Sequence, residues 1–216
     1  MSFTQRSGLY AIVDADALAG ADPLAFADVL LESAPLFALQ LRAKRWSARQ
    51  IIVVARALAQ RCARAGVPFV VNDRADLAVI AGAHALHVGQ EDLSVLDARR
   101  IAGASLIGVS THDLAQLDEA LALAPDYVAF GPVFETRSKE APDPTVGLAL
   151  LERACERARA AAVPLVAIGG ITVDNAASVR AAGASSGAVI GALASRANDP
   201  RALASLARSL HDALSR

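Results

Sequence analysis

The sequence predicts an α/β protein, a single-domain (β/α)8 TIM barrel over residues 1–216. Short apolar runs alternate with longer segments of helical periodicity, eight such pairs follow one another, and no shift in composition marks a second domain. Alternation of this kind calls for a parallel sheet, and eight repeats favour closing it on itself. A doubly wound open sheet is the alternative topology. The length of 216 residues suits one large core.

The strand-like runs are Leu9–Val13, Phe37–Leu41, Phe69–Val71, Ala85–Val88, Leu106–Val109, Tyr127–Phe130, Leu165–Ile168 and Ala188–Leu193. Each is short, apolar and followed by turn or polar residues. The helix-like segments are Pro23–Ser33, Ala48–Ala65, Ala75–Ala81, Val95–Ala102, Leu114–Leu123, Leu148–Ala161, Asp174–Ala182 and Pro200–Leu214. Several stop at Ala-Gly (Gly66, Gly82, Gly103, Gly183), where glycine can take the left-handed conformation that ends a helix.

Composition narrows the function. A net charge of −1 offers no electrostatic attraction for nucleic acid or an anionic membrane. The opening Met1–Ser7 lacks the apolar core of a signal peptide, and no apolar run reaches the roughly 20 residues of a membrane span. Cys62 and Cys155 fall in helix-like segments without metal-ligand spacing, and a disulfide is not expected. These features point to a soluble cytoplasmic enzyme acting on small molecules, and self-association into a homo-oligomer is compatible with them. Only two of the 21 basic residues are lysines, Lys44 and Lys139. In a chain that uses arginine for surface charge, a lysine suggests a position needing a compact ammonium.

In a barrel of this type the chemistry lies where the strands end. Polar residues do cluster there: Asp14, Gln40, Arg42, Lys44, Asn72, Asp73, Gln90, Asp92, Ser110, Thr136, Ser138, Lys139 and the Gly169-Gly170 pair. Gln40, Arg42 and Lys44 alternate with Leu41 and Ala43, so period two puts the polar three on one face. Facing the barrel mouth they suit an anionic ligand; the plain alternative is an ion pair with Asp73 or Asp92. Those two aspartates end neighbouring parallel strands of one βαβ unit, where paired carboxylates suit Mg²⁺ carrying substrate phosphates. Helix capping explains either of them equally well.

The long loop from Gly131 to Val146 brings two hydroxyls and an ammonium, in Thr136, Ser138 and Lys139, which suit a phosphate. Glycines after the seventh strand-like run match the usual barrel phosphate site. His87, inside an apolar run, reads as a hydrogen-bonded core residue. His112 follows Ser110-Thr111, a triplet that helix capping also explains. His84 and His211 have no partner at zinc-site spacing.

Taken together, the stretches LYAIVD (9–14), QLRAK (40–44), VNDRADLA (71–78), HVGQEDL (87–93), IGVSTH (107–112), DYVAFGPVFETRSK (126–139) and VAIGGITVDNA (166–176) resemble the thiamin phosphate synthase family. The resemblance covers nearly the whole chain and implies a (β/α)8 barrel. It also implies a transferase that joins 4-amino-2-methyl-5-(diphosphooxymethyl)pyrimidine to a thiazole phosphate, plain or carboxylated, with loss of pyrophosphate. By motif match, Gln40, Leu41, Arg42, Ala43, Lys44, Asn72, Ser110 and Lys139 would hold the pyrimidine diphosphate. Thr136, Arg137, Ser138, Gly170, Ile190 and Gly191 would hold the thiazole phosphate. Asp73 and Asp92 would hold Mg²⁺, and Lys44, Ser110 and Lys139 would assist catalysis.

The chain departs from the family twice. Ile190-Gly191 stands where the family usually has a Val/Ile-Ser pair, and Ser185-Ser186-Gly187 lacks the usual Asp. Rival readings are a thiazole tautomerase using His112, a Schiff-base aldolase using Lys44 or Lys139, and a thiamin-phosphate sensor without turnover. Retention of both aspartates favours the synthase over the tautomerase.

Overall fold

The computed structural model describes residues 3–136 and 144–215. In chain order the elements are β1 (Gly8–Asp14), α1 (Pro23–Ser33), β2 (Leu36–Arg42), α2 (Ala48–Ala65), β3 (Phe69–Asn72), α3 (Ala75–Ala81), β4 (Ala85–Val88), α4 (Val95–Ala102) and β5 (Leu106–Thr111). They continue with α5 (Leu114–Ala122), β6 (Tyr127–Phe130), α6 (Gly147–Ala160), β7 (Leu165–Ile168), α7 (Val173–Ala181), β8 (Ser186–Val189), α8 (Gly191–Ala194) and α9 (Pro200–Ser215). The strands form a closed barrel in sequence order, and β1 pairs in parallel with β8 to complete the ring. The expected single-domain (β/α)8 barrel is therefore the fold, and the open sheet is not.

Local chemistry sets the helix ends. Ser47 accepts from the Gln50 amide in a capping box at the start of α2, and left-handed Gly66 ends it. Gly82 ends α3 the same way.

One expected element differs. The apolar run Ala188–Leu193 reads as a strand in the sequence, yet β8 begins at Ser186 and stops at Val189, and α8 follows. A short apolar run has no period that separates strand from helix. Ser186, in the segment that departs from the family, is buried in the strand and donates from Oγ to the Gly8 carbonyl at 2.7 Å. That bond ties β8 to β1 across the closure.

Strand alternation divides the core in two. Leu9, Ala11 and Val13 pack outward in the layer between barrel and helices, whereas Tyr10 and Ile12 point into the barrel. The chain has only two tyrosines, Tyr10 and Tyr127, and both sit in that interior. Phe3 plugs it from below, its ring 5.2 Å from Phe37 and 4.8 Å from Tyr127. Arg6 anchors this segment by donating to the carbonyls of Leu36 and Gly66.

Space for the Tyr127 ring comes from Gly108 on the neighbouring strand, where an added Cβ would lie 2.0 Å from the ring. Gly108→Ala should therefore cost about 1–3 kcal/mol through overpacking, measured by urea unfolding. An unchanged midpoint would mean the ring can move aside.

Among the described residues no helix is long and apolar enough to cross a membrane. Cys62 and Cys155 are free and buried, and burial pushes both thiols up to about 12, so they stay protonated.

Candidate active site

The carboxyl ends of the strands open into two adjoining cavities, of about 900 and about 730 Å³. Ser110, His112 and Ile190 line both, so the two are halves of one cleft.

The larger half holds Gln40, Arg42, Lys44, Asn72, Asp73 and Asp92. Alternation along β2 works as the sequence suggested. Gln40, Arg42 and Lys44 all reach this half, with exposure rising outward from a buried Gln40 to a largely exposed Lys44. The side chains of Leu41 and Ala43 point away from this half. They are not among the lining residues, because the same alternation turns them into the outer core, and only their peptide groups could meet a ligand.

Arg42 is fixed by Asp14, which the register sets directly opposite it and which is almost wholly buried. Asp14 also accepts from the amides of Asp16 and Ala17, so its carboxylate is held from both sides. The ion pair of Arg42 is thus with Asp14, not with Asp73 or Asp92. Lys44 does approach Asp73, its Nζ 3.5 Å from the carboxylate.

Neither aspartate of the expected metal pair caps a helix. Arg74 occupies the position before α3, Ser94 caps α4, and Asp73 has φ +63°, outside the extended range of a cap. Asp92 accepts instead from the Gly89 amide at 2.7 Å, which shapes the loop after β4. The capping explanation also fails for Ser110 and Thr111: Asp113 caps α5, and Thr111 donates to the Ala129 carbonyl.

The carboxyl groups of Asp73 and Asp92 interact directly. Burial, then a side-chain hydrogen bond with Asp92, then the charge of Asp92, push Asp73 up to about 6 from its ordinary 3.8, against the pull of Lys44. Two oxygen donors that repel one another at the cleft mouth fit a hard divalent cation. Mg²⁺ commonly takes one or two carboxylates and completes its shell with water and substrate phosphates. No three of His, Cys, Asp and Glu form a closed metal cage among the described residues.

The smaller half is built from backbone. Gly169 and Gly170 carry φ of +100° and +65°, and a Cβ on Gly170 would lie 2.4 Å from the Glu135 carbonyl oxygen. Glycine is needed there on both counts. Thr136, Gly170, Ile190 and Gly191 line this half, with Gly191 opening α8. Arg137, Ser138 and Lys139 lie outside the described residues.

His112 lies at the junction, and its Nδ1 donates to the Gly131 carbonyl at 2.6 Å. A carbonyl only accepts, so this nitrogen carries the proton.

The family model described as thiamine monophosphate synthase matches residues 9–193. A thiamine-phosphate synthase of Koribacter versatilis is 46% identical over 202 residues, covering 91% of this chain and 92% of that one. One from Anaeromyxobacter dehalogenans is 43% identical over 208 residues, 95% and 88% of the two chains. Among solved structures, thiamine phosphate pyrophosphorylase from Pyrococcus furiosus superposes with a TM-score of 0.83 at 29% identity, covering 95% of this chain and 96% of that one. The chain belongs to the thiamine monophosphate synthase family.

Sequence reasoning missed several parts of this family member's cleft. Tyr10 and Ile12 line its floor, but the uniformly apolar run Leu9–Val13 gave no alternation to reveal them. His87 is hydrogen-bonded core, as expected, and it also lines the larger half. The signal available for it was period two along β4, which sets Ala85 and His87 on the inner face and Leu86 and Val88 on the outer one.

The raised carboxyl of Asp73 has a consequence for stability. Its folded value, about 6, lies above the ordinary 3.8, so the folded state holds the proton more tightly than the unfolded chain. Stability from this group is full below about pH 3.8 and is lost as pH rises through about 6. Metal-free protein should therefore lose more thermal stability between pH 4.5 and 7 than Asp73→Asn does, and excess Mg²⁺ should close the gap at pH 7. Parallel melting curves that run together at every pH would refute this.

Proposed function

We propose that this chain, acting as one catalytic unit over residues 1–216, is a thiamin phosphate synthase. It joins 4-amino-2-methyl-5-(diphosphooxymethyl)pyrimidine to thiazole phosphate, or to its carboxylated form. The observation that carries the proposal is the division of one cleft. A half that sets Asp73 and Asp92 beside the basic side chains of Arg42 and Lys44 meets a half of glycine backbone and hydroxyl, and Ser110 lines both.

The reaction needs little acid–base work. The bond between the pyrimidine methylene and the diphosphate oxygen breaks, and its electron pair leaves with the diphosphate. The thiazole nitrogen then gives its lone pair to the pyrimidine cation, forming the new C–N bond. Such chemistry depends on stabilising the departing charge and holding two substrates in line. Gln40, Arg42, Lys44, Asn72 and Ser110, which all line the larger half, would hold the pyrimidine diphosphate, and the Asp14 ion pair would preorganise Arg42 for it. Thr136, the Gly170 and Gly191 amides and the loop carrying Arg137, Ser138 and Lys139 hold the thiazole phosphate, with Ile190 between the halves. By the family resemblance, Lys139 would also assist departure of the leaving group. Asp73 and Asp92 hold Mg²⁺, which when bound supplies positive charge to the diphosphate.

On this reading the partners are two small-molecule substrates, not nucleic acid or membrane, and the reaction is cytoplasmic. The test is thiamin phosphate formation by purified protein with both substrates, with and without Mg²⁺, with pyrophosphate release followed in parallel. Both products should appear only with the metal. Binding of both substrates without product would overturn the proposal.

A further inference from the structure

An unbroken line of polar side chains crosses the barrel interior beneath the cleft. Gln40 Nε2 donates to the Tyr10 hydroxyl at 2.8 Å, and that hydroxyl lies 2.8 Å from the hydroxyl of Tyr127. The Tyr127 hydroxyl is 2.9 Å from His87 Nδ1, and His87 Nε2 is 2.8 Å from Ser110 Oγ. Five strands contribute: β2, β1, β6, β4 and β5. Tyr127 is wholly buried and does not itself line the cleft, yet it links the two ends of the line through Tyr10 and His87, which do.

The line has a direction. An amide nitrogen can only donate, so the Tyr10 oxygen accepts from Gln40 and turns its single hydrogen toward Tyr127. The Tyr127 oxygen is then an acceptor, and its own hydrogen points to His87 Nδ1. With Nδ1 accepting, neutral His87 carries its proton on Nε2 and donates it to Ser110 Oγ. The Ser110 hydrogen has no acceptor left along the line and is turned toward the cleft. Burial pushes both phenols well above their ordinary range, so each keeps the hydrogen that this ordering needs.

We propose that Tyr127 is a positioning residue which, through the Nε2–H tautomer of His87, holds Ser110 Oγ as a hydrogen donor where the two halves of the cleft meet. Ser110 thereby offers its hydrogen to the charge that develops on the departing diphosphate. That last step rests on the proposed synthase reaction; the direction of the line does not.

Nitrogen-15 NMR of the ligand-free protein reads the tautomer, with the His87 signals assigned by their loss in His87→Asn. The expected result is a protonated Nε2 and an unprotonated Nδ1. A protonated Nδ1 would reverse the line and overturn the proposal, whether or not the protein makes thiamin phosphate. In turnover, Tyr127→Phe should lower kcat about tenfold, the scale of one hydrogen bond to a charged group, with KM little changed. Adding Tyr127→Phe to Ser110→Ala should cause no further loss. Losses that multiply would show that Tyr127 acts by another route, and the proposal would fall. If Tyr127→Phe does not fold, the tautomer of the unaltered protein decides alone.

Discussion

Asp92→Asn should abolish most activity while leaving the fold intact. The asparagine oxygen can still accept from the Gly89 amide, so the loop after β4 keeps its hydrogen bond. On the proposed reading, what is lost is one of two charged oxygen donors for the cation. Removing a group that stabilises transition-state charge commonly lowers kcat by about 10²–10³-fold, and the same scale is expected here. Stability should not fall with it, because Asp92 is exposed and its charge opposes that of Asp73. Metal-free Asp92→Asn should melt at or slightly above the unaltered protein at neutral pH. Near-normal turnover would sink the metal assignment. A large drop in melting temperature would instead show that the residue is structural. Asp92→Ala should lose as much activity, with a looser loop.

Asp14→Ala should lower stability and substrate affinity together. Asp14 is almost fully buried, pairs with Arg42 and accepts two backbone amides. Breaking such a pair by deleting one partner leaves a charge and two donors without their acceptor, which costs about 3 kcal/mol or more. For a domain of this size that corresponds to roughly 10 °C in melting temperature. Arg42, no longer held, should also raise KM for the pyrimidine diphosphate. Calorimetry and steady-state kinetics on the same preparation would check both effects. A variant that melts normally would show that Arg42 needs no anchor, and the claim of preorganisation would fail.

The order of elements was legible because it depends on local periodicity, and most strand and helix ends fell within a residue or two of their expected places. The one clear error, Ala188–Leu193, came where an apolar run continued from β8 into α8 with no polar residue to mark the change. The polar face of Gln40, Arg42 and Lys44 was legible for a similar reason, since alternation survives in any strand with one wet side. Leu41 and Ala43, expected at the site through the family resemblance, turn their side chains into the outer core by that same alternation, which leaves their peptide groups to face a ligand.

Other features needed the closed barrel. That Asp14 rather than Asp73 holds Arg42 follows from a register between β1 and β2 that neither strand encodes alone. Tyr10 and Tyr127 are 117 residues apart and meet only because the barrel interior brings β1 and β6 together. The exclusion of helix capping at Asp73 and Asp92 likewise required backbone geometry, since aspartate before a helix reads the same in either role. From the sequence alone came the eight-fold alternation, the strand-end cluster of polar residues and the family resemblance. Only the tertiary structure decided which of those residues face one another, because periodicity is a property of neighbours along the chain, while a side chain's partner is chosen by the register and closure of strands far apart in it.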